Sequence, residues 1–132
     1  YGQRMYLALL PDADSLAALK RFAPALPNDA HVTVIHSKAH SGAPLPIPKW
    51  SGALTLKTNG VASFGWKSKL VLRLNVLNDE LIVIRAQTET ILRDANLPWS
   101  AEWPFSPHIT IGSQRAKMPP PATLRFDRMA WR

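Results

Sequence analysis

Short apolar runs, separated by prolines and polar residues, divide the chain into predicted strands and helices. Apolar and β-branched residues in such short runs favour strands. The runs are RMYLALL (4–10), HVTVI (31–35), KLVLRLNVL (69–77), HITIG (108–112) and ATLRFDRMAW (122–131). The segment GALTLKTNGVASF (52–64) predicts one strand or two, with a turn at Asn59-Gly60 in the second case.

Two segments instead carry apolar residues at helical spacing. The apolar face of the first consists of Leu16, Leu19, Phe22 and Ala23, and that of the second consists of Leu81, Ile84, Thr88, Ile91 and Ala95. Side chains that can cap a helix N-terminus precede each face, at Asp12, Asp14 or Ser15 and at Asn78 or Asp79. Both segments are therefore predicted to be helices that bury one face.

The order of these elements repeats along the chain. A strand, a helix and the HVTVI strand come first, and a strand, a helix and the HITIG strand follow. Two copies of one unit predict an α+β fold with two lobes related by a pseudo-two-fold axis. We expect mainly antiparallel sheets lining a central groove, with the helices outside. Residues 1–132 are predicted to form one domain, in which residues 1–4 before Met5 are a candidate non-native extension or the end of a preceding segment.

The two repeated strands each contain the motif His-x-Thr. Residues i and i+2 of a strand point to the same face. His31 therefore shares a face with Thr33, and His108 shares a face with Thr110, while the apolar residues between them point to the core. If a two-fold axis relates the lobes, both pairs line one cleft.

Two imidazoles and two hydroxyls in one cleft suit the cleavage of a phosphodiester. Histidine titrates near neutral pH, so one ring can act as a base while the other acts as an acid. Hydroxyls can donate hydrogen bonds to the non-bridging phosphate oxygens. A single His-x-Thr in a strand usually has no function, and it is the second copy in the same context that favours catalysis.

The paired motifs resemble those of the two-histidine (2H) phosphoesterase superfamily, which includes RNA 2′,3′-cyclic phosphodiesterases and RNA ligase-like proteins. The resemblance runs from MYLALLP (5–11) to the final strand. It implies a bilobal fold with a central groove. It also implies that His31 and His108 are the general acid and base, that Thr33 and Thr110 hold the phosphate, and that no metal or other cofactor is needed.

A narrower similarity links the chain to the phage anti-CBASS phosphodiesterases, which cleave the cyclic oligonucleotide messengers of a bacterial defence system. The segments that carry it are AHVTVIHS (30–37), a tryptophan-containing turn before LVLRLN (70–75), and EWPFSPHITI (102–111). His36 stands where that group carries a tyrosine, and Asp127 is the candidate for the acidic residue of its last strand. This similarity implies a cyclic oligonucleotide as the substrate.

Five residues outside the motifs are candidates for substrate binding. Aromatic faces commonly stack on nucleic-acid bases, although most aromatic side chains belong to a protein core. The candidates are Tyr6, Trp66 and Trp103 for stacking, Lys67 for a phosphate, and His36 at the rim of the cleft. A regular strand places His36 on the face opposite His31, because the two are an odd number of positions apart.

Composition narrows the remaining alternatives. The chain has 132 residues, a net charge of +7 and no cysteine, which suits an anionic partner and excludes disulfides and thiolate chemistry. No apolar run reaches the roughly 20 residues of a membrane span. We therefore predict a cytoplasmic protein with no membrane, DNA or obligatory protein partner, and with no metal site.

These observations together predict a metal-independent phosphodiesterase that cleaves the 3′–5′ bonds of cyclic di- and oligonucleotides. Attack by a ribose 2′-hydroxyl would produce a 2′,3′-cyclic phosphate on the way. Three alternatives stay open: an enzyme acting on RNA ends that carry a 2′,3′-cyclic phosphate, a binding module that sequesters a cyclic nucleotide without cleaving it, and a structural domain in which the motifs are coincidental.

Overall fold

The computed structural model describes residues 5–38, 44–64, 69–75, 78–99 and 106–132. In chain order its elements are β1 (Met5–Pro11), α1 (Ala13–Phe22), β2 (Val32–Ser37), β3 (Leu54–Phe64), β4 (Lys69–Leu74), α2 (Asp79–Asp94), β5 (His108–Gly112) and β6 (Thr123–Trp131). The two predicted strand–helix–strand units are confirmed as β1-α1-β2 and β4-α2-β5. His31 immediately precedes β2, whereas His108 is the first residue of β5.

In the described part of the chain, the strand pairs are all antiparallel and belong to one six-stranded sheet with the order β2-β1-β6-β3-β4-β5. The order is symmetric about its centre, because β2, β1 and β6 on one side correspond to β5, β4 and β3 on the other. We call β2, β1, β6 and α1 the first half, and β5, β4, β3 and α2 the second half. The predicted α+β class and the pseudo-two-fold arrangement are therefore confirmed, with a single continuous sheet in place of separate ones.

Both motif strands contain a β-bulge at the same place. On β2, Thr33 is opposite Ala8 and Ile35 is opposite Leu7, so Val34 is an extra residue. On β5 the corresponding extra residue is Ile111. A bulge bends its strand and re-aims the neighbouring side chains. Each bulge directly follows the motif threonine. The two motifs therefore share their local backbone conformation as well as their sequence.

β3 is one continuous strand, so the alternative of two strands joined by a turn at Asn59-Gly60 is wrong. Its first part, Leu54 to Lys57, pairs with β6, and from Thr58 onward it pairs with β4. The register shifts where Gly60 adopts a positive φ of 86°. Glycine tolerates this conformation, so the Asn-Gly pair accommodates a bulge in place of a hairpin.

The two helices and one face of the sheet share a single hydrophobic core. Both helices have the predicted type of N-cap, since Asp12 accepts a hydrogen bond from the Ser15 amide and Asn78 accepts one from the Leu81 amide. The fully buried face of α2 consists of Leu81, Ile84, Thr88 and Leu92. Ile91, predicted on this face, is half-buried at its edge, and the prediction of Ala95 on this face was wrong. The 3.6-residue period reaches Leu92 after Thr88, and Ala95 is already the exposed C-cap.

The opposite face of the sheet is polar and carries both motifs. Directly opposed residues on neighbouring strands share a face, so this polar face includes Thr33 with Ala8 in the first half and Thr110 with Val71 in the second. The two edge strands, β2 and β5, contact each other. The sheet therefore curves until the strands that carry the two motifs are neighbours. Within the described ranges, neither helix has the length and apolar character needed to cross a membrane.

Candidate active site

One cavity of about 100 Å³ contains all four motif side chains. It lies where β2 meets β5, and the described residues that line it are Pro27, Asp29, Ala30, His31, Thr33, His108 and Thr110. Each of the two histidines and two threonines is half-buried. The structure therefore brings together the four residues that the motif pattern predicted to share a cleft. Their catalytic roles stay predictions.

The two imidazoles are held in the same way. His31 Nδ1 lies 2.7 Å from the carbonyl oxygen of Asp29, and His108 Nδ1 lies 2.9 Å from that of Ser106. In both cases the carbonyl belongs to the residue two positions before the histidine. The pseudo-symmetry thus extends to the hydrogen bond that orients each ring.

This shared contact defines the chemistry of the two rings. A carbonyl oxygen can only accept a hydrogen bond, so Nδ1 carries the hydrogen in each ring. In the neutral form, the lone pair is then on Nε2, the nitrogen at the far end of the imidazole. A ring held in one tautomer and one orientation is prepared to take or give a proton at Nε2. Two such rings around one cavity provide a site for each of the two proton transfers of a phosphodiester cleavage.

The threonines are held by the strands on either side of the cavity. Thr33 is opposite Ala8, and Thr110 is opposite Val71. Ala8 and Val71 are both buried. The register of each strand therefore fixes the face of the sheet from which the threonine side chain projects, and this is the face that lines the cavity. Two hydroxyls in a cavity that also holds two imidazoles can donate to two oxygens of one phosphate.

Tyr6 stacks on the ring of His31. The ring centroids are 4.9 Å apart and the planes differ by 20°. One face of the Tyr6 ring is therefore in contact with the imidazole, which limits the orientations that His31 can adopt. The prediction that Tyr6 stacks on a substrate base stays a prediction, and any base would have to use the other face of its ring.

The predicted position of His36 was wrong, because β2 is not regular. The bulge at Val34 changes the alternation, so His36 lies opposite Tyr6 on the polar face. His36 is half-buried and shares this face with Thr33. The correction places His36 on the same side of the sheet as the cavity, which is compatible with its predicted role at the rim.

Three of the predicted substrate-binding residues, Trp66, Lys67 and Trp103, lie outside the described residues, and their roles stay predictions. Asp127, the candidate acidic residue of β6, has its carboxylate 3.4 Å from Nε of Arg128. In the described part of the chain, no group of three or more histidine, aspartate or glutamate side chains is arranged to hold a metal ion.

Sequence reasoning missed two contacts that join the halves beside the motifs. Arg85 of α2 donates a hydrogen bond to the carbonyl of Val34, the bulge residue of β2. Gly112, directly after the β5 bulge, has a φ of 94°, and a Cβ there would lie 2.7 Å from the carbonyl oxygen of Ala25. Only the glycine leaves a signal in the sequence, because it ends the second motif where the first has Ile35.

The burial of Arg85 has an electrostatic consequence. Its side chain is only 18% exposed, and its Nε lies 3.7 Å from the Glu89 carboxylate. Burial lowers the pKa of Arg85 from its ordinary value, and the nearby Glu89 charge opposes that shift. An arginine stays protonated despite such a shift, so it acts here as a permanent donor to β2.

Solved structures of phosphoesterases have the same fold as this chain. The Escherichia coli LigT structure with 3′-AMP matches with a TM-score of 0.61 and 15% sequence identity, over 98% of this chain and 86% of that one. A structure described only as a phosphoesterase matches with a TM-score of 0.63 and 16% identity over the same shares. E. coli LigT with ATP matches with a TM-score of 0.59 and 18% identity, over 98% and 85%. No protein-family model matches the sequence, and no curated protein matches it significantly.

Proposed function

We propose that this protein is a metal-independent phosphodiesterase that cleaves the 3′–5′ bonds of cyclic di- and oligonucleotide second messengers. The observation that carries the proposal is the single cavity in which His31 and His108, oriented by equivalent carbonyl contacts, face two motif threonines. The shared fold of phosphoesterase structures supports the reaction class. The anti-CBASS resemblance of the segments around the motifs supports the cyclic substrate.

The two imidazoles carry out complementary proton transfers. One takes the proton of a ribose 2′-hydroxyl while that oxygen forms a bond to the adjacent phosphorus. The bond from phosphorus to the 5′-oxygen of the next nucleotide breaks, and the second imidazole gives its proton to that oxygen. The products of this step are a 2′,3′-cyclic phosphate and a free 5′-hydroxyl.

Hydrolysis of the cyclic phosphate uses the same groups with their roles exchanged. The imidazole that gave its proton now accepts one from water, whose oxygen attacks phosphorus. The other imidazole protonates the departing 2′-oxygen, which leaves a 3′-phosphate. In both steps Thr33 and Thr110 donate to the non-bridging oxygens, where negative charge increases in the transition state. A direct attack by water on the 3′–5′ bond would need the same two proton transfers.

An enzyme that acts on RNA ends with a 2′,3′-cyclic phosphate is the second candidate. The comparison that favours it is the LigT structure with 3′-AMP, a nucleotide with its phosphate on the ribose 3′-oxygen. Hydrolysis of a 2′,3′-cyclic phosphate as described above leaves the same kind of 3′-phosphate. The two candidates share the site and the mechanism, and they differ only in what lies beyond the phosphate.

One chromatographic assay in EDTA separates these candidates. The protein and its His31→Ala variant are incubated with cyclic di- and trinucleotides and with an RNA oligomer that ends in a 2′,3′-cyclic phosphate. We expect wild type to cleave the cyclic oligonucleotides and the variant to leave them intact. Cleavage of the RNA end alone would establish the second candidate. A ligand that is bound but not cut would identify a sequestering module, and activity that requires an added divalent ion would contradict the mechanism.

A further inference from the structure

Arg73 is the direct cross-strand neighbour of His108. The two residues are opposed on β4 and β5, so their side chains leave the same face of the sheet with Cβ atoms about 5 Å apart. Arg73 is exposed. Its guanidinium therefore lies within reach of any group bound beside the His108 imidazole.

The charge of Arg73 is not neutralised by the described part of the protein. The ion pairs found there are Arg85 with Glu89 and Arg128 with Asp127. No hydrogen bond between described residues involves the Arg73 side chain. An exposed guanidinium whose N–H donors are available can form bidentate hydrogen bonds with a phosphate.

A second cation, Lys57, continues the positive charge along the same face. Thr58 is opposite Leu74, so Lys57 is opposite Asn75. Asn75 and Arg73 are two positions apart in the chain and share a face, so Lys57 is on that face as well. The amide of Asn75 donates to the carbonyl of Lys57 across 2.8 Å, as this register requires. Diagonal neighbours on a sheet lie about 7–8 Å apart. Lys57, which is also exposed, is therefore one diagonal step from Arg73.

The first half does not repeat this feature. Ala8 and Val71 are equivalent, because each is opposite a motif threonine. Arg73 lies two residues after Val71, and the residue two positions after Ala8 is Leu10, so Leu10 is the counterpart of Arg73. The polar face thus has a cation beside His108 and an apolar side chain at the matching place beside His31. The first half does carry Arg128 opposite Leu10, but it lies one strand further from the motif, and its guanidinium donates to the Pro11 carbonyl and lies 3.4 Å from the Asp127 carboxylate. A pseudo-symmetric cavity with this difference favours one orientation of an anionic ligand.

We propose that Arg73, assisted by Lys57, binds a second phosphate group of the substrate beside His108, so that the site selects oligonucleotides with at least two phosphates over nucleotides with one. This inference rests on the proposed phosphodiesterase function and specifies its substrate class. It also fixes the orientation of the substrate in the cavity, because the additional phosphate lies on the His108 side.

Binding measurements test this inference without relying on turnover. A His31→Ala background, expected to be inactive, keeps the ligands intact, and calorimetry gives the Kd for the dinucleotide ApA, with one phosphate, and for the trinucleotide ApApA, with two. Added Arg73→Gln is expected to weaken ApApA binding roughly tenfold, the size of one lost charge-assisted contact, and to leave ApA binding within about twofold. Arg73→Lys, which keeps the charge but not the bidentate geometry, is expected to fall between the two. Arg93→Gln, an exposed arginine on α2, is the matched control and should change neither Kd.

The salt dependence of binding gives a second readout that a structural role would not change. Loss of one phosphate contact lowers the slope of log Kd against log salt, because fewer counterions are released when the ligand binds. We expect that reduction for ApApA in Arg73→Gln and no reduction for ApA. Equal weakening of both ligands would overturn the inference by placing Arg73 on the scissile phosphate, and no weakening of either would show an ordinary solvated cation. If the His31→Ala protein with Arg73 intact binds neither nucleotide, the proposed function fails together with the inference. The other two outcomes overturn the inference and leave the proposed function intact.

Discussion

Arg85 in α2 donates a hydrogen bond to the carbonyl of Val34 across 3.0 Å, which joins the helix of one half to the motif strand of the other. Val34 is the bulge residue and directly follows Thr33, so this contact fixes the backbone beside one side of the cavity. The equivalent bulge at Ile111 is instead followed by Gly112, which packs against the backbone of Ala25. Each motif is thus supported from the opposite half, the first by helix α2 and the second by the loop between α1 and β2.

Replacement of Arg85 by methionine tests the importance of this link. The variant keeps an unbranched apolar side chain but leaves the Val34 carbonyl without its charged donor. We expect the free energy of unfolding to fall by about 1–3 kcal/mol, the cost of an unpaired partner in a partly buried place. Because the contact lies beside Thr33, kcat should also fall, and denaturant titration with steady-state kinetics measures both.

Arg93→Met on the same helix is the control, since Arg93 is exposed and its guanidinium makes a contact with the Trp99 ring, 5.7 Å from the centroid, that does not involve β2. It should change the free energy of unfolding by much less. An Arg85→Met variant that loses stability but keeps its kcat would show that the link supports the fold and not the site.

The paired histidines make a prediction about rate and pH. Either His31→Ala or His108→Ala should lower kcat by about 10²-fold or more with the circular-dichroism spectrum unchanged, because each removes one proton-transfer group. Thr33→Ala and Thr110→Ala should cost less. The profile of kcat/KM against pH should be bell-shaped, since the reaction needs one neutral and one protonated imidazole. A profile that keeps rising into the range where tyrosine titrates would contradict an essential protonated histidine.

The stacking of Tyr6 on His31 predicts a specific change in kinetics. Tyr6→Leu removes the aromatic face that restrains the imidazole, and aromatic pairs are worth about 0.5–1.5 kcal/mol, so kcat should fall by roughly 2- to 10-fold. Tyr6→Phe retains the ring and should keep the wild-type kcat. An increase in KM with an unchanged kcat would instead assign Tyr6 to substrate stacking, as the sequence alone suggested.

The parts of the structure that the sequence predicted are those set by local periodicity. His31 and Thr33, like His108 and Thr110, are two positions apart in an apolar strand, and alternation alone places each pair on one face. The helix caps at Asp12 and Asn78 follow from side-chain chemistry in the same local way.

The errors lie where the backbone leaves its regular period. The predicted face of His36 is wrong because a bulge at Val34 adds a residue that no hydrophobic pattern reveals. Asn59-Gly60 signals a hairpin turn in isolation, and only pairing with both β4 and β6 shows that the strand continues. The contact of Arg85 with Val34 depends on how the two halves pack against each other, and the local sequence of either half does not contain that information.

Gly112 should not tolerate a side chain. Its φ of 94° is strained for any residue with a Cβ, and in Gly112→Ala that Cβ would lie 2.7 Å from the Ala25 carbonyl oxygen. Since the neighbouring atoms are backbone and cannot rotate away, we expect a loss of about 1–3 kcal/mol in the free energy of unfolding. Gly52→Ala is the matched control, because Gly52 also has a positive φ of 90° but nothing within 4 Å. Equal losses in the two variants would mean that φ strain, and not contact with Ala25, limits this position.

The N-cap of α1 should make stability depend on pH in the acid range. The Asp12 carboxylate accepts a hydrogen bond from the Ser15 amide, and this bond lowers the pKa of Asp12 below its ordinary value of 3.8. A carboxyl whose pKa is lower in the folded state contributes its stabilisation in full above its unfolded pKa, and loses it as the pH falls through the folded pKa. The Tm difference between wild type and Asp12→Ala should therefore be constant near neutrality and shrink below pH 3.8. Asp12→Asn accepts the same bond without titrating, so its Tm advantage over Asp12→Ala should stay constant with pH. A wild-type advantage that persists through strong acid would show that the cap acts without its charge.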